Sequence, residues 1–595
     1  MRRIGESLCL AVCGLLLAPQ LAAAGGSEFP AGGTRDLGRG ATGFTRADDP
    51  SLMLRNPALL ADLWDDMASL GAHFLIPKSC FHATGGYGWN VAGDDISNYG
   101  NGPVYLQAPA GATDLNGKPI KGFLDEPYPQ VCYRGGVRFL PNVALTMKLS
   151  PSVGVGIGFF PPDTAALPEF GNADGTVDTP NGKRPSPTRY FNSHLDTSFF
   201  SALGAIGYRP LDWLRVGLGL QWNVIAFSAT SWARPTPDLA PHTDVRTDIF
   251  GRDLFVPGVI ASVQVVPTDN LDFAVGFKWS DRIETKAKLD LTTGAFGTGA
   301  PFVFIDAAGH MQAKSSSVPT TSNNQQGTVS APPLWVPQLS FGARYAQRIL
   351  PRARTSNWEA LHAGAGREVL DHMATERWDI EANAIVYFAG ANDRQLFSND
   401  AKNAAMVELV DAQPGGLFGH LPAHVGTCTK LDKNGNCVGA WEVPTEFGGK
   451  TQLSVRVGGD YNVVPGLFAM RAGVSYETNG QDVGYLNPTN YQLGRTGLHA
   501  GATLRIATTT DVSIGFAHFI QRDIRLDMNP VTGHFPLKYS IDAATSARYN
   551  YVPGTHDGIA KVEVPYGDAY GPNFANFGSF FYRLEVLSVT FLQHF

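Results

Sequence analysis

The chain is poor in what builds a soluble enzyme of its size. Charged residues make up 17% of its 595 positions, against about a quarter in typical soluble domains. Beyond the first two dozen residues no apolar run is long enough to cross a membrane as a helix. No Ser/His or paired-acid constellation assembles, and His499 and His518 stand isolated, so no enzyme activity is expected. The six cysteines lack the neighbouring ligands of a zinc site, and neither metal nor cofactor is expected. A formal net charge of −7 excludes the basic surface of a nucleic-acid binder.

The first residues point to export. Arg2 and Arg3 precede a short apolar core, "LCLAVCGLLLA" (Leu8–Ala18), and the small residues Ala22–Ala24. This is the pattern of a signal peptide over 1–24. Val12 is a poor neighbour for a lipidated Cys13. Removing two basic residues and one acidic one takes the net charge from −7 to −8. Cys80, Cys132, Cys428 and Cys437 remain, an even number that suggests disulfides in an exported chain. Cys428 and Cys437 bracket the turn-rich "TKLDKNGN", which leaves Cys80 with Cys132.

What the chain has in abundance is alternation with period two. In "LRVGLGLQWNV", Leu214, Val216, Leu218, Leu220, Trp222 and Val224 share one face. Arg215, Gly217, Gly219, Gln221 and Asn223 share the other. Fourteen such segments occur, near 66–77, 137–149, 152–160, 197–209, 212–227, 254–266, 271–288, 334–348, 376–389, 450–463, 467–478, 497–508, 511–525 and 578–595. Most reach the roughly nine to eleven residues that a tilted membrane strand needs.

The connections decide the class. "SP", "PL", "PTDN", "VPG" and "TT" join alternate pairs of segments, and long loops join the others. Short turns at one end and long loops at the other, around an even strand number, predict an all-β fold. It is a 14-stranded antiparallel transmembrane barrel in the outer membrane of a Gram-negative bacterium. Such a barrel meets outer-membrane lipid and lipopolysaccharide. At the end of the chain, "RLEVLSVTFLQHF" places Leu587, Val589, Phe591 and Phe595 on one face. An aromatic last residue on an alternating strand is the signal read by the barrel-assembly machinery. Residues 349–375 depart from the pattern: "TSNWEALHAGAGREVLDHMATE", with a capping box of Ser356 and Glu359, predicts a helical insert on the periplasmic side.

Between leader and first strand lies "GATGFTRADDPSLMLRNPALLADL". It resembles the N-terminal plug of the FadL-type outer-membrane family, which transports long-chain fatty acids and other hydrophobic compounds. Asn56, Pro57 and Ala58 match the family's Asn-Pro-Ala element, with Asp48 and Asp49 upstream. "PNVALTMKLSPSVGVGIGFFPP" (141–162) and "ALGAIGYRPLDWLRVGLGLQW" (202–222) resemble two of its hairpins, and the strand number equals the family's. Pro162 is followed by Asp163 where the family often continues with an aromatic residue and Gly, and the 349–375 insert is not part of its usual pattern.

The resemblance implies three parts: signal peptide 1–24, a lumenal plug over 25–65 and a barrel over 66–595, working as a monomer. It implies passive uptake of a hydrophobic small molecule or fatty acid through a lumen pocket, and a plug-gated lateral exit at a kinked strand. Gly154, Gly156 and Gly158, followed by Pro161 and Pro162, are the candidate opening; a plain inward glycine face is the other reading. The same glycines spell GxGxG, but no helix follows, so no nucleotide site is expected. Lys278 and Arg456 point inward near mid-barrel and are candidates to pair with a substrate carboxylate. Arg215, Arg344, Arg471 and Arg505 are expected to face plug acids such as Asp48, Asp49 and Asp62. Phe81 is expected on an outer landing surface. A general porin or a surface adhesin is the alternative function.

Overall fold

The computed structural model describes residues 32–83, 104–106, 127–161, 169–180, 182–191, 193–233, 245–292, 301–305, 311–315, 322–332, 335–351, 371–388, 390, 394–399, 408–409, 423–424, 427–430, 432–433, 438–446, 448–481, 486, 488, 493–526, 541–542, 547–548, 550–551, 559–560 and 578–595. Among them fourteen strands close into one antiparallel ring. In chain order these are β1 Met67–Ala83, β2 Arg138–Ser150, β3 Val153–Phe160, β4 His194–Leu211 and β5 Leu214–Ala233. They continue with β6 Val245–Thr268, β7 Leu271–Ser280, β8 Gln338–Arg348, β9 Glu376–Tyr387 and β10 Gln452–Val464. The last four are β11 Phe468–Glu477, β12 Arg495–Ala507, β13 Thr510–Gln521 and β14 Gly578–His594. β14 closes on β1 along its whole length, from His594 opposite Met67 to Gly578 opposite Ala83.

Each expected segment coincides with one of these strands. Closure leaves the sheet without an end strand, so backbone polar groups along its paired ladders are satisfied without water. The alternation then sorts side chains between two faces. Leu218, Leu220 and Trp222 on β5, Ile514 and Phe516 on β13, and Leu587 and Phe591 on β14 are all exposed on the outside. In water this would be an untenable apolar surface; in a bilayer it is the lipid-facing band of an outer-membrane barrel. Glu585, on the same face of β14, lies above that band beside Lys78, with Nζ 3.7 Å from its carboxylate.

Tight turns at 151–152, 212–213, 269–270, 465–467 and 508–509 share one end with the start of β1 and the end of β14. The β8–β9 connection is the exception. Most of the expected 349–375 helix lies outside the described residues, which include one turn of it, α2, His372–Thr375.

Several strand limits differ from expectation: β1 runs on to Ala83, β5 to Ala233, and β6 begins already at Val245. The segment 271–288 is not one strand: β7 stops at Ser280, and a new strand, Ile283–Thr292, pairs back onto the outer part of β6. A bulge in β6 between Asp253 and Val256 turns its outer half, which lets β6 take a second partner there. From this fork a rim sheet grows outward through Ser322–Ala331, Arg394–Asn399, Trp441–Glu446 and Thr427–Cys428. Its inner face carries an apolar cluster that includes Ile225, Val245, Val256, Ile283, Leu291, Val329 and Phe397. The segment 334–348 becomes strand only at Gln338, because Trp335 turns into the barrel. Cys80 and Cys132 are disulfide-bonded, directly opposite one another where β1 pairs with Gln130–Cys132. Cys437 lies outside the described residues.

Candidate functional site

Residues 32–66 run inside the ring at its short-turn end. They form a short helix, α1, Thr34–Gly38, and two 3-10 turns, Pro50–Leu54 and Pro57–Ala61. The two turns are built alike. Asp49 Oδ1 accepts from Ser51 N (2.9 Å) and Asn56 Oδ1 from Ala58 N (3.1 Å), each with proline at the next position. A capping acceptor followed by a residue with no N–H to satisfy starts a helical turn and stops the chain from continuing as strand. Position 56 also needs an amide, because Nδ2 donates to Phe44 O at 2.7 Å while Oδ1 caps. Ala58 N reaches Ser262 Oγ on β6 as well, at 3.0 Å.

The second turn rests on a wall without side chains. Gly154 on β3, Gly207 on β4 and Gly217 on β5 lie directly across from one another. A Cβ on Gly207 would stand 2.7 Å from Pro57 O; one on Gly154 would collide with Leu60 O, and one on Gly217 with Ala58 N. On the far wall, Gly458 of β10 and Gly473 of β11 are paired. A Cβ on Gly473 would stand 2.5 Å from Gly40 N, and one on Gly458 would collide with Arg39 O. Backbone thus packs on backbone at two sides of the ring.

Charge ties the segment down, with mostly the opposite polarity to that expected. The groups on residues 32–66 are arginines and the wall supplies the acids. Arg35 reaches Asp511 (2.7 Å), while Arg39 and Arg46 reach Asp379 (2.8 and 3.1 Å). Arg344 from β8 also binds Asp379 (2.6 Å) and holds Asp272 (2.9 Å) and Glu376. Glu381 accepts from the backbone N–H of Phe44 (2.8 Å) and Thr45 (3.0 Å). Of the expected pairs, Arg215–Asp62 forms, at 2.8 Å. Arg471 pairs with Asp460 at 3.2 Å, and Arg505 with Asp371 and Asp511 at 2.6 and 2.7 Å, all outside the segment. Asp48 faces Arg46 within the segment at 2.7 Å. Burial pushes the Asp48 carboxyl up, but Arg46, Arg35 and Arg39 outweigh it and bring it down to about 2. Burial raises Asp49 above the usual carboxylate range, opposed by Arg35 and the Ser51 hydrogen bonds.

Gly154, Gly156 and Gly158 all turn inward, where Leu60 and Met53 cover them; a Cβ on Gly156 would stand 2.7 Å from Met53 Sδ. β3 is paired on both sides, with Val143 opposite Phe159 and Ser201 opposite Phe160. The ladder ends there. Pro161 follows, and Pro162 lies outside the described residues. Beyond Phe160, β2 residues 138–142 and β4 residues 194–200 have no β3 residue between them. Exposed Phe139, Phe159 and Phe200 mark this place on the outer face.

Above the segment the lumen is apolar over much of its wall. On β14 the inner face carries Thr590 and Ser588 where it meets Thr34 Oγ1 (2.7 and 2.5 Å), then Val586, Leu584, Tyr582 and Phe580. β13 repeats the sequence with Ser513, Gly515, Ala517 and Phe519. Phe160, Leu203 and Ile260 continue the same cluster. Phe81 belongs to it too: it is fully buried and packs on Phe580 at 4.6 Å, so it is not part of an outer landing surface. Lys278 places Nζ 3.3 Å above the Trp335 ring. Arg456 already has a carboxylate, Glu477 at 3.3 Å, and the Tyr387 hydroxyl at 3.0 Å.

Sequence reasoning found the Asn-Pro-Ala turn and the inward glycines. It missed Arg35, Arg39 and Arg46, and the acids Asp379 and Glu381, although period two in "ERWDIEAN" already turned both acids inward.

No family model and no curated protein matches the sequence. Solved structures match its fold. A FadL homologue of Pseudomonas aeruginosa superposes with a TM-score of 0.58 at 12% identity, covering 96% of this chain and 100% of that one. The toluene transporter TbuX of Ralstonia pickettii gives 0.50 at 10% identity, covering 95% and 98%.

Proposed function

We propose that this outer-membrane barrel is a transporter for the passive uptake of hydrophobic molecules such as long-chain fatty acids. One observation carries the reading. The inner wall above residues 32–66 carries a continuous apolar cluster, from Phe580, Leu584 and Val586 round to Phe160, Leu203 and Ile260, where a general porin lines its channel with polar and charged groups. Sharing a fold with a toluene transporter is in keeping with it. Residues 32–66 act as a plug, and Asp48, Asp49, Asn56, Pro57 and Ala58 shape it. Substrate leaves sideways past the end of β3, near Pro161, once the plug shifts off Gly154, Gly156 and Gly158. Lys278 meets a carboxylate head where the substrate has one. Arg456, which faces Glu477, is the other candidate.

Deleting Ser27–Ala47 removes the arginine anchors and leaves the strands intact. Uptake of a radiolabelled long-chain fatty acid by cells making this variant is expected to fall several-fold, while the purified barrel keeps its heat-modifiable mobility. Undiminished uptake by a correctly assembled barrel overturns the gating role.

A further inference from the structure

The apolar interior comes in two parts. One fills the lumen and includes Phe160, Leu203, Ile260 and Trp335. The other lies outside it, under the rim sheet, around Ile225, Val256, Ile283 and Val329. Among the described residues, Phe199 packs against both. The ground beside it is polar, with Ser201, Asn223, Lys278 and Ser280 all buried. A solute passing between the two clusters without crossing polar surface goes by Phe199.

Trp335 stands at that crossing. It is 1% exposed and meets Phe199 edge-on, with ring centroids 6.3 Å apart. Its contacts reach across the inner face of β6. On one side Nε1 donates to Asn223 Oδ1 of β5 at 3.0 Å. On the other, its backbone N–H and C=O both bond Ser280 Oγ of β7 at 3.2 Å, and Lys278 Nζ lies over the ring. On β6, Gly258 opposite Ser280 carries no side chain, and Val256 stands opposite Asn223. The indole follows the rim strand Ser322–Ala331 by four residues and precedes β8 by three.

We propose that Trp335 is an inlet gate: an indole latched between β5 and β7 that divides the apolar vestibule under the rim sheet from the apolar lumen. It is distinct from the N-terminal segment, which closes the opposite end. The inference rests on the reading that apolar solutes traverse this barrel, and it concerns where they are admitted. Rocking the ring off Asn223 joins the two clusters into one continuous apolar path.

The test uses the full chain in lipid nanodiscs and an apolar thiol probe, N-(1-pyrenyl)maleimide. One cysteine is placed on the lumen side (Leu203→Cys) and, in a second protein, one on the vestibule side (Ala331→Cys). With Trp335→Ala, labelling at position 203 is expected to quicken about tenfold, as when a latch of a few hydrogen bonds is removed. Labelling at position 331 stays as before. Trp335→Phe keeps the ring but loses the Asn223 bond and falls between. Equal labelling at 203 with and without the indole overturns the gate. So does equal acceleration at both positions, which reports general loosening. No transported solute is needed, so a barrel that gates in this assay yet takes up no fatty acid sinks the proposed function and leaves the gate standing.

Discussion

At the scale of single residues, the seat of residues 32–66 depends on what Gly154, Gly207 and Gly217 lack. A methyl at position 217 enters the space of Ala58 N, and backbone on both sides cannot swing away as a side chain would. Gly217→Ala is therefore expected to unseat the second turn at a cost of about 1–3 kcal/mol. Limited proteolysis within 32–66 should become faster while the barrel stays folded. Gly204→Ala, on the exposed face with nothing within 4 Å, serves as the neutral control. The Asn-Pro-Ala element was legible because its chemistry is local: an acceptor, a ring that fixes φ and a free N–H. The glycine strip was legible only by half. Period two turned Gly154 inward, but its register with Gly207 and Gly217 comes from strand pairing, which no single segment encodes. Charge partners were less legible still. Aspartates in the segment suggested arginines on the wall, whereas Asp379 gathers Arg39 and Arg46 from the segment and Arg344 from β8.

At the scale of elements, the N-terminal segment is held by charges that titrate in acid. The folded-state value of Asp48, about 2, lies below the unfolded carboxylate value of about 4. Its contribution to seating is complete above pH about 4 and is lost as pH falls toward about 2. Asp49 is raised by burial, so its sign is reversed: protonating it in weak acid favours the seated state. Hydrogen exchange of residues 32–66 is expected to show slightly greater protection on mild acidification, then a loss between about pH 4 and 2. Asp48→Asn should flatten that loss and leave the earlier gain. The strands themselves were readable from alternation, since one face meets lipid along every one of them. The break at Asp281 was not. Both sides of it alternate, and only the β6 bulge, set by its partners, decides that Ile283–Thr292 leaves the ring.

At the scale of the whole molecule, a 14-stranded ring is wide enough to conduct ions if its interior is open. Here the short-turn end is filled by the ion-paired segment, and the wall above it carries a large apolar cluster. Purified protein in planar bilayers is expected to show little steady conductance, and a large constant conductance would favour the porin. Strand number and the Cys80–Cys132 pair could be taken from the sequence, because turns, loops and cysteines punctuate it. The rim sheet could not, because its strands are short and join segments far apart in the chain. That sheet also sets how far the protein stands from its membrane. The lipid-facing side of β5 ends at Ala226, after which come Ser228 and Thr230, the latter bonded to Asp248 at 2.6 Å. The paired β5–β6 hairpin nevertheless continues to Ala233 and Val245, roughly 20 Å further along the strand. Under the uptake proposed above, a hairpin raised over an apolar cluster of Ile225, Val245 and Val256 meets a poorly soluble molecule ahead of the lumen and shortens its passage through water.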